Sequence, residues 1–155
     1  MFGLGKLNLL IKRYELAARW FTDALAQKRD YVYKVWLAFT HVKLANALTP
    51  ANPKKLKYLE YAVRDYTKCV KEDDLAHYCI TALLFLSLEK HDYEIKGLET
   101  PQKYLDGLTT CLTKNKKLQD HDFTVELTLA QAYHDLKTPR HQTKGTTALS
   151  RLLTQ

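Results

Sequence analysis

Cysteine and histidine are the side chains whose spacing would indicate metal binding or nucleophilic catalysis. The three cysteines lie ten and thirty-two residues apart, so no pair has the CxxC spacing of zinc sites. No two histidines stand four residues apart, and no HExxH motif occurs. We therefore expect no metal and no cofactor. The residues considered are Cys69, Cys79, Cys111, His41, His77, His91, His121, His134 and His141.

The cysteines also indicate the compartment. An odd number without close spacing argues against a disulfide framework and favours buried free thiols. Free thiols are typical of a reducing, intracellular compartment. Each cysteine falls on a predicted buried stripe, which disfavours a cysteine–histidine nucleophile. The pair Gly3-x-Gly5 is too short for a phosphate-binding loop and follows no strand. The sequence thus predicts no catalytic residue and a protein that is not an enzyme.

The elements that position these side chains are marked by prolines. Three prolines follow a threonine, at Thr49-Pro50, Thr100-Pro101 and Thr138-Pro139, and each pair separates two apolar-periodic segments. Proline lacks a backbone donor and marks where helices stop or start. Apolar residues make up 46% of the chain, and the β-branched runs typical of strands are missing. The sequence therefore predicts an all-α fold.

Two side-chain patterns recur along the predicted helices. A small residue followed three positions later by a ring occurs in Leu37-Ala38-x-x-His41, in Thr81-Ala82-x-x-Phe85 and in Leu129-Ala130-x-x-Tyr133. Such spacing places both residues on one helix face, where they pack against a neighbouring helix. His41 is accordingly interpreted as a packed core residue. The second pattern, with spacings of four and three, comprises Ala17, Phe21, Ala24; Ala62, Tyr66, Cys69; Tyr104, Leu108, Cys111; and Gly145, Leu149, Leu152.

These patterns resemble tetratricopeptide repeats. Residues 62–74 resemble the second helix of such a repeat and its following turn, and residues 75–93 resemble the next first helix. Leu129-Ala130-Gln131-Ala132-Tyr133 is a further local match. Ala38, Ala82 and Ala130 lie 44 and 48 residues apart, whereas the family period is about 34. The resemblance implies a degenerate, lengthened α-solenoid, and a pentatricopeptide-type or other α-hairpin array stays open.

The predicted layout is a single helical-repeat domain over residues 1–155. It has seven helices, stacked as three antiparallel hairpins after one N-terminal helix. The first helices of the hairpins form the concave face on which repeat arrays bind partners. The predicted helix is 5–27, and the hairpins are 31–71 (31–48 with 55–71), 74–114 (74–91 with 100–114) and 120–154 (120–137 with 142–154).

The net charge of +7 permits an acidic protein, a nucleic acid or an anionic membrane as partner. The first helices lack a consistent basic stripe, which disfavours nucleic acid. No apolar run reaches the length of about 18 residues that a membrane span needs. Aromatic side chains around the first interhelical turn are typical of interface hot spots. The predicted partner-binding residues are Trp20, Tyr31, Tyr33, Lys34, Trp36, Lys43, His77 and Gln131.

These observations favour a non-catalytic interaction scaffold, acting as a small accessory subunit among other protein subunits of a hetero-oligomeric complex. In size, helical layout and basicity the chain is similar to helical-repeat subunits of the mitochondrial ATP synthase, so a mitochondrial location is one expectation. Two alternatives stay open. One is an RNA-binding helical-repeat protein or an organellar ribosome subunit. The other is a tetratricopeptide-type chaperone or adaptor.

Overall fold

The computed structural model describes residues 2–72, 75–90 and 93–114, and these ranges are all-helical, with six helices and no strand. The predicted helices 120–137 and 142–154, and Gln131, lie outside the described residues. The helices are α1 (Phe2–Leu10), α2 (Tyr14–Gln27), α3 (Tyr31–Asn46), α4 (Pro53–Cys69), α5 (Ala76–Glu89) and α6 (Pro101–Lys114).

The boundaries of α3 to α6 lie within two residues of the sequence prediction, and the starts of α3, α4 and α6 have recognisable signals. Asp30 precedes α3, and its side chain accepts a hydrogen bond from the Val32 amide at 2.9 Å. Asn52 caps α4 in the same way, with Pro53 at the first helical position. The Thr100 hydroxyl accepts from the Lys103 amide at 3.4 Å, which confirms Thr100-Pro101 as the start of α6. Such caps satisfy the free amides of a first turn.

The prediction of one helix over 5–27 is wrong, because the chain turns sharply between α1 and α2. Lys12 has a φ of 63°, in the left-handed region. The Lys12 amide donates to the Leu9 carbonyl at 3.1 Å, and the Arg13 amide donates to the Asn8 carbonyl at 2.8 Å. This pair of bonds is a Schellman motif, which terminates a helix. Glycine usually occupies the left-handed position, so a lysine there leaves no signal in the sequence.

The chain divides into two compact units, whose described residues are 2–72, 75–79 and 93–98 in the first and 80–90 and 99–114 in the second. In the first unit α1 packs on α2, α2 on α3, and α3 on α4. The predicted packing stripes of α2 and α4 are buried, which confirms both: Ala17, Phe21, Ala24, Ala62, Tyr66 and Cys69. Solenoid stacking and a single repeat domain over 1–155 stay predictions.

In the second unit α6 approaches α5 at a glycine. A Cβ atom built on Gly107 would lie 3.6 Å from the Ile80 side chain, which is ordinary packing distance. Leu108, on the predicted stripe of α6, is buried. Tyr104, on the same stripe, is also buried, and its hydroxyl accepts a hydrogen bond from the Glu99 amide at 2.9 Å. The Tyr104 ring thus packs in the core while its hydroxyl oxygen is hydrogen-bonded.

Gly5 lets α1 lie directly on the core of the first unit. A Cβ atom at Gly5 would lie 2.5 Å from the Phe21 ring, whereas Gly3 has open space around its Cα. We expect Gly5→Ala to lower the free energy of unfolding by about 1–2 kcal/mol, because overpacking outweighs the gain in helix propensity. Gly3→Ala, the matched control, is expected to raise it by about 0.5–1 kcal/mol. Urea titration measures both changes in the free energy of unfolding. Equal changes of the same sign in the two variants would contradict the close contact between Gly5 and the Phe21 ring.

Candidate partner-binding surface

An aromatic cluster lies where α1, α2 and α3 meet. The Phe2 ring stacks on Tyr33, with centroids 4.5 Å apart, and lies 6.2 Å from Trp36. The buried Phe21 ring lies 5.7 Å from Phe2 and 6.1 Å from Trp36. The Lys6 ammonium sits over Phe2 and Trp36, at 5.1 and 5.0 Å from their centroids. Tyr33 and Trp36 were predicted as partner-binding residues, and both are half-buried against this cluster.

The other predicted partner-binding residues lie apart from this cluster. Tyr31 is exposed at the start of α3, with the Lys34 ammonium 5.2 Å from its ring centroid. Trp20 is half-buried on α2 and joins none of the ring pairs found within the described ranges. His77 is only 8% exposed, so a partner could reach little of it. These assignments stay predictions.

The outward side of α3 carries an exposed apolar stripe that the sequence analysis did not single out. We name it the α3 face and define it as Val32, Val35, Phe39 and Val42. Val32 and Phe39 are exposed, Phe39 by 40%, and the two other valines are half-buried. The spacings are three, four and three residues, the a/d pattern of a coiled-coil seam.

Two predicted residues border the α3 face on one side. Trp36 and Lys43 each follow a seam residue by one position, which places them at the edge of the seam. The Lys43 ammonium lies 5.2 Å from the Phe39 ring centroid. A cation over an exposed ring adds positive charge to an apolar surface. The arrangement therefore fits an amphipathic helix with an acidic residue beside its apolar stripe.

On the opposite side of α3, His41 packs between two tyrosines of α4. Its ring stacks on Tyr58 at 5.7 Å, with an interplanar angle of 15°, and lies 5.4 Å from Tyr61. Its Nδ1 atom is buried and makes no hydrogen bond within the described residues. Burial, reinforced by the positive charge of Arg64, lowers the pKa of His41 to about 4. His41 is thus neutral at physiological pH and packs as the sequence analysis expected.

Cys69 and Cys79 come together although ten residues separate them in sequence. The Cys79 thiol is hydrogen-bonded to Cys69, and this bond lowers the pKa of Cys69 while it raises the pKa of Cys79. The Cys69 thiol also donates to the Tyr31 carbonyl at 3.7 Å. Both side chains are fully buried, which confirms the interpretation of these two as packed thiols, whereas Cys111 is half-buried. The cysteine pair joins the end of α4 to α5, and the bond to Tyr31 joins the end of α4 to the start of α3.

Two further observations concern the described part of the chain. No group of three or more His, Cys, Asp or Glu side chains there is placed to hold a metal ion. Among the same residues, no helix combines the length and apolar character that crossing a membrane requires.

The chain matches no protein-family model, and comparisons with curated proteins and with solved structures find no similar protein. The resemblance to tetratricopeptide repeats therefore depends on the sequence patterns alone.

Proposed function

We propose that this protein is a non-catalytic docking module, and that a helix of a partner protein packs along the α3 face. The observation that carries the proposal is the seam spacing of Val32, Val35, Phe39 and Val42 on an exposed side of the helix. A helix that is apolar on both sides normally lies between two neighbours. Within the first unit, α3 packs against α2 and α4 on its other side.

The residues of the α3 face and those that border it favour a protein partner over RNA. Base stacking needs a row of exposed aromatic rings beside cations, whereas this stripe has one exposed ring among three valines. Aliphatic seam residues bordered by a tryptophan and a lysine are typical of helix–helix interfaces. The proposed assembly is a hetero-oligomeric complex in a reducing intracellular compartment, for which the mitochondrial ATP synthase is the working example.

The first experiment is native purification of the tagged full chain, with the co-eluting species identified before and after nuclease treatment. Under the proposal, proteins co-elute in fixed stoichiometry and survive nuclease. Recovery of bound RNA, with loss of all protein partners on nuclease treatment, would replace the proposal with the RNA-binding alternative.

A pair of substitutions tests the surface itself. The double variant Val32→Gln and Phe39→Gln is expected to reduce partner capture at least about ten-fold, because the centre of an interface carries most of its binding energy. The matched control is Leu56→Gln, which alters a 36% exposed leucine on α4 and should leave capture unchanged. Circular dichroism checks that both variants keep the wild-type helix content. Equal capture by the double variant and the wild type would refute the α3 face as the docking surface.

A further inference from the structure

Helix α1 and the first residue after it expose a second apolar stripe, distinct from the α3 face. We name it the α1 face and define it as Leu4, Leu7, Leu10 and Ile11. All four side chains are exposed, Leu7 by 54% and Leu10 by 79%. Their spacing places Leu4, Leu7 and Ile11 on one side of the helix, with Leu10 beside them. An exposed aliphatic patch of this kind marks an interaction surface.

The opposite side of α1 is already engaged, so the α1 face is not a misplaced core stripe. Phe2 packs on Tyr33 and Phe21, and Gly5 lies directly against the Phe21 ring. Leu9 also packs on this core. Rotation of α1 to bury the α1 face would remove all of these contacts. The outward stripe therefore needs a partner outside the first unit or stays in water.

The charged residues of α1 and of the turn that follows it are all positive, and the nearest acidic residue in the sequence is Glu15 at the start of α2. Residues 2–14 include Lys6, Lys12 and Arg13 and no acidic residue. Lys12 and Arg13 are exposed and form no ion pair within the described part of the chain. Lys12 and Arg13 lie in the turn that directly follows Leu10 and Ile11. Two cations that form no ion pair among the described residues thus lie close to Leu10, the most exposed aliphatic side chain of the helix.

We propose that the α1 face binds the surface of an anionic phospholipid bilayer, with α1 lying in the plane of the membrane interface. Aliphatic residues beside unpaired lysine and arginine are the composition of interfacial helices, which combine apolar burial with attraction to anionic headgroups. Leu7, Leu10 and Ile11 enter the acyl boundary, and Lys12 and Arg13 contact the lipid phosphates. The Schellman turn holds the two groups side by side.

Other occupants fit the α1 face less well. A second copy of the chain would bring identical basic segments together across a symmetric interface, and like charges there oppose association. Protein interfaces concentrate their binding energy in aromatic anchors seated in pockets. The α1 face has no ring, because Phe2 points into the core. The α3 face, in contrast, carries the exposed ring of Phe39.

Co-sedimentation of the full chain with vesicles tests the proposal. Vesicles of equimolar phosphatidylglycerol and phosphatidylcholine are expected to pellet the protein at low salt, and pure phosphatidylcholine vesicles are not. The double variant Leu7→Gln and Leu10→Gln should reduce the partition coefficient at least about ten-fold, through lost apolar burial. The double variant Lys12→Gln and Arg13→Gln should reduce it roughly thirty-fold and flatten its salt dependence, since each cation near an anionic surface contributes to binding.

The matched control is the double variant Val32→Gln and Phe39→Gln, which alters the α3 face and should bind vesicles like the wild type. Circular dichroism checks that every variant keeps its helices. Absence of pelleting with anionic vesicles overturns the proposal, as does equal pelleting with pure phosphatidylcholine. Loss of a protein partner or of a dimer in the Leu7→Gln and Leu10→Gln variant, with vesicle binding unchanged, would assign the α1 face to that partner or to a second copy instead.

Discussion

Replacement of Phe21 by alanine is expected to lower the free energy of unfolding of the first unit by about 3–5 kcal/mol, since it removes a buried ring and leaves a cavity. Phe21 is fully buried, and its ring contacts Phe2, Trp36 and the backbone at Gly5. Loss of this ring removes the common support of α1 and α3. Urea unfolding followed by circular dichroism measures the change.

The matched control for this substitution is Phe39→Ala on the exposed side of α3. The same atoms are removed there, but the Phe39 ring is already 40% exposed, so we expect a loss of about 1 kcal/mol or less. A similar loss in both variants would show that Phe21 does not hold α1 and α3 together. A loss below about 1 kcal/mol for Phe21→Ala would contradict the described core.

Acidification from pH 7 to pH 4 is expected to destabilise the protein by about 2–3 kcal/mol through His41 alone. The pKa of His41 is about 4 in the folded protein, below its ordinary value of 6.5. Between these two values the unfolded chain binds a proton that the folded protein does not. Stability therefore falls as the pH falls through this window, and the loss stays constant below it.

The variant His41→Phe isolates this effect, because it keeps a ring between Tyr58 and Tyr61 and removes the titrating group. Burial raises the pKa of Asp65. Between the ordinary pKa of an aspartate and this raised value, the folded protein retains a proton that the unfolded chain has released. Acidification through that range therefore stabilises the folded protein, opposite in sign to the effect of His41. Asp65 is present in both proteins, so its contribution cancels in the comparison. Parallel curves of unfolding free energy against pH for wild type and variant would contradict the low pKa of His41.

Helices with conventional end signals could be predicted from the sequence. The ends of α3 to α6 lie within two residues of their predicted positions. Thr100-Pro101 predicted the start of α6, whereas the predicted start of α4 at residue 55 lies two residues after Pro53, where the Asn52 cap begins the helix. The break between α1 and α2 could not be predicted, since a lysine takes the left-handed position that glycine usually marks. The packing of α1 on Phe21 stabilises the arrangement after this break, and no local sequence pattern reveals that packing.

The candidate surfaces were only partly predictable. Trp36 and Lys43 were selected as aromatic and charged residues, and both border the α3 face. Val32 and Phe39 were missed although their spacing is visible in the sequence. The reason is that α3 is apolar on every side, so periodicity cannot distinguish the stripe that faces the core from the stripe that faces outward. Likewise, the turn between α4 and α5 brings Cys69 and Cys79 together, and their separation of ten residues in the sequence does not indicate this contact.

The order in which the helices pack has a consequence for biogenesis. In the first unit each of α1 to α3 contacts the helix that follows it in the chain, so native contacts join segments that are synthesised one after another. Short loop closures of this kind favour rapid folding. The nascent chain can therefore pair α1 with α2, and then add α3 and α4, while the remaining residues are still being translated. Ribosome-bound intermediates of increasing length should gain structure stepwise, one helix at a time, and not in a single late collapse.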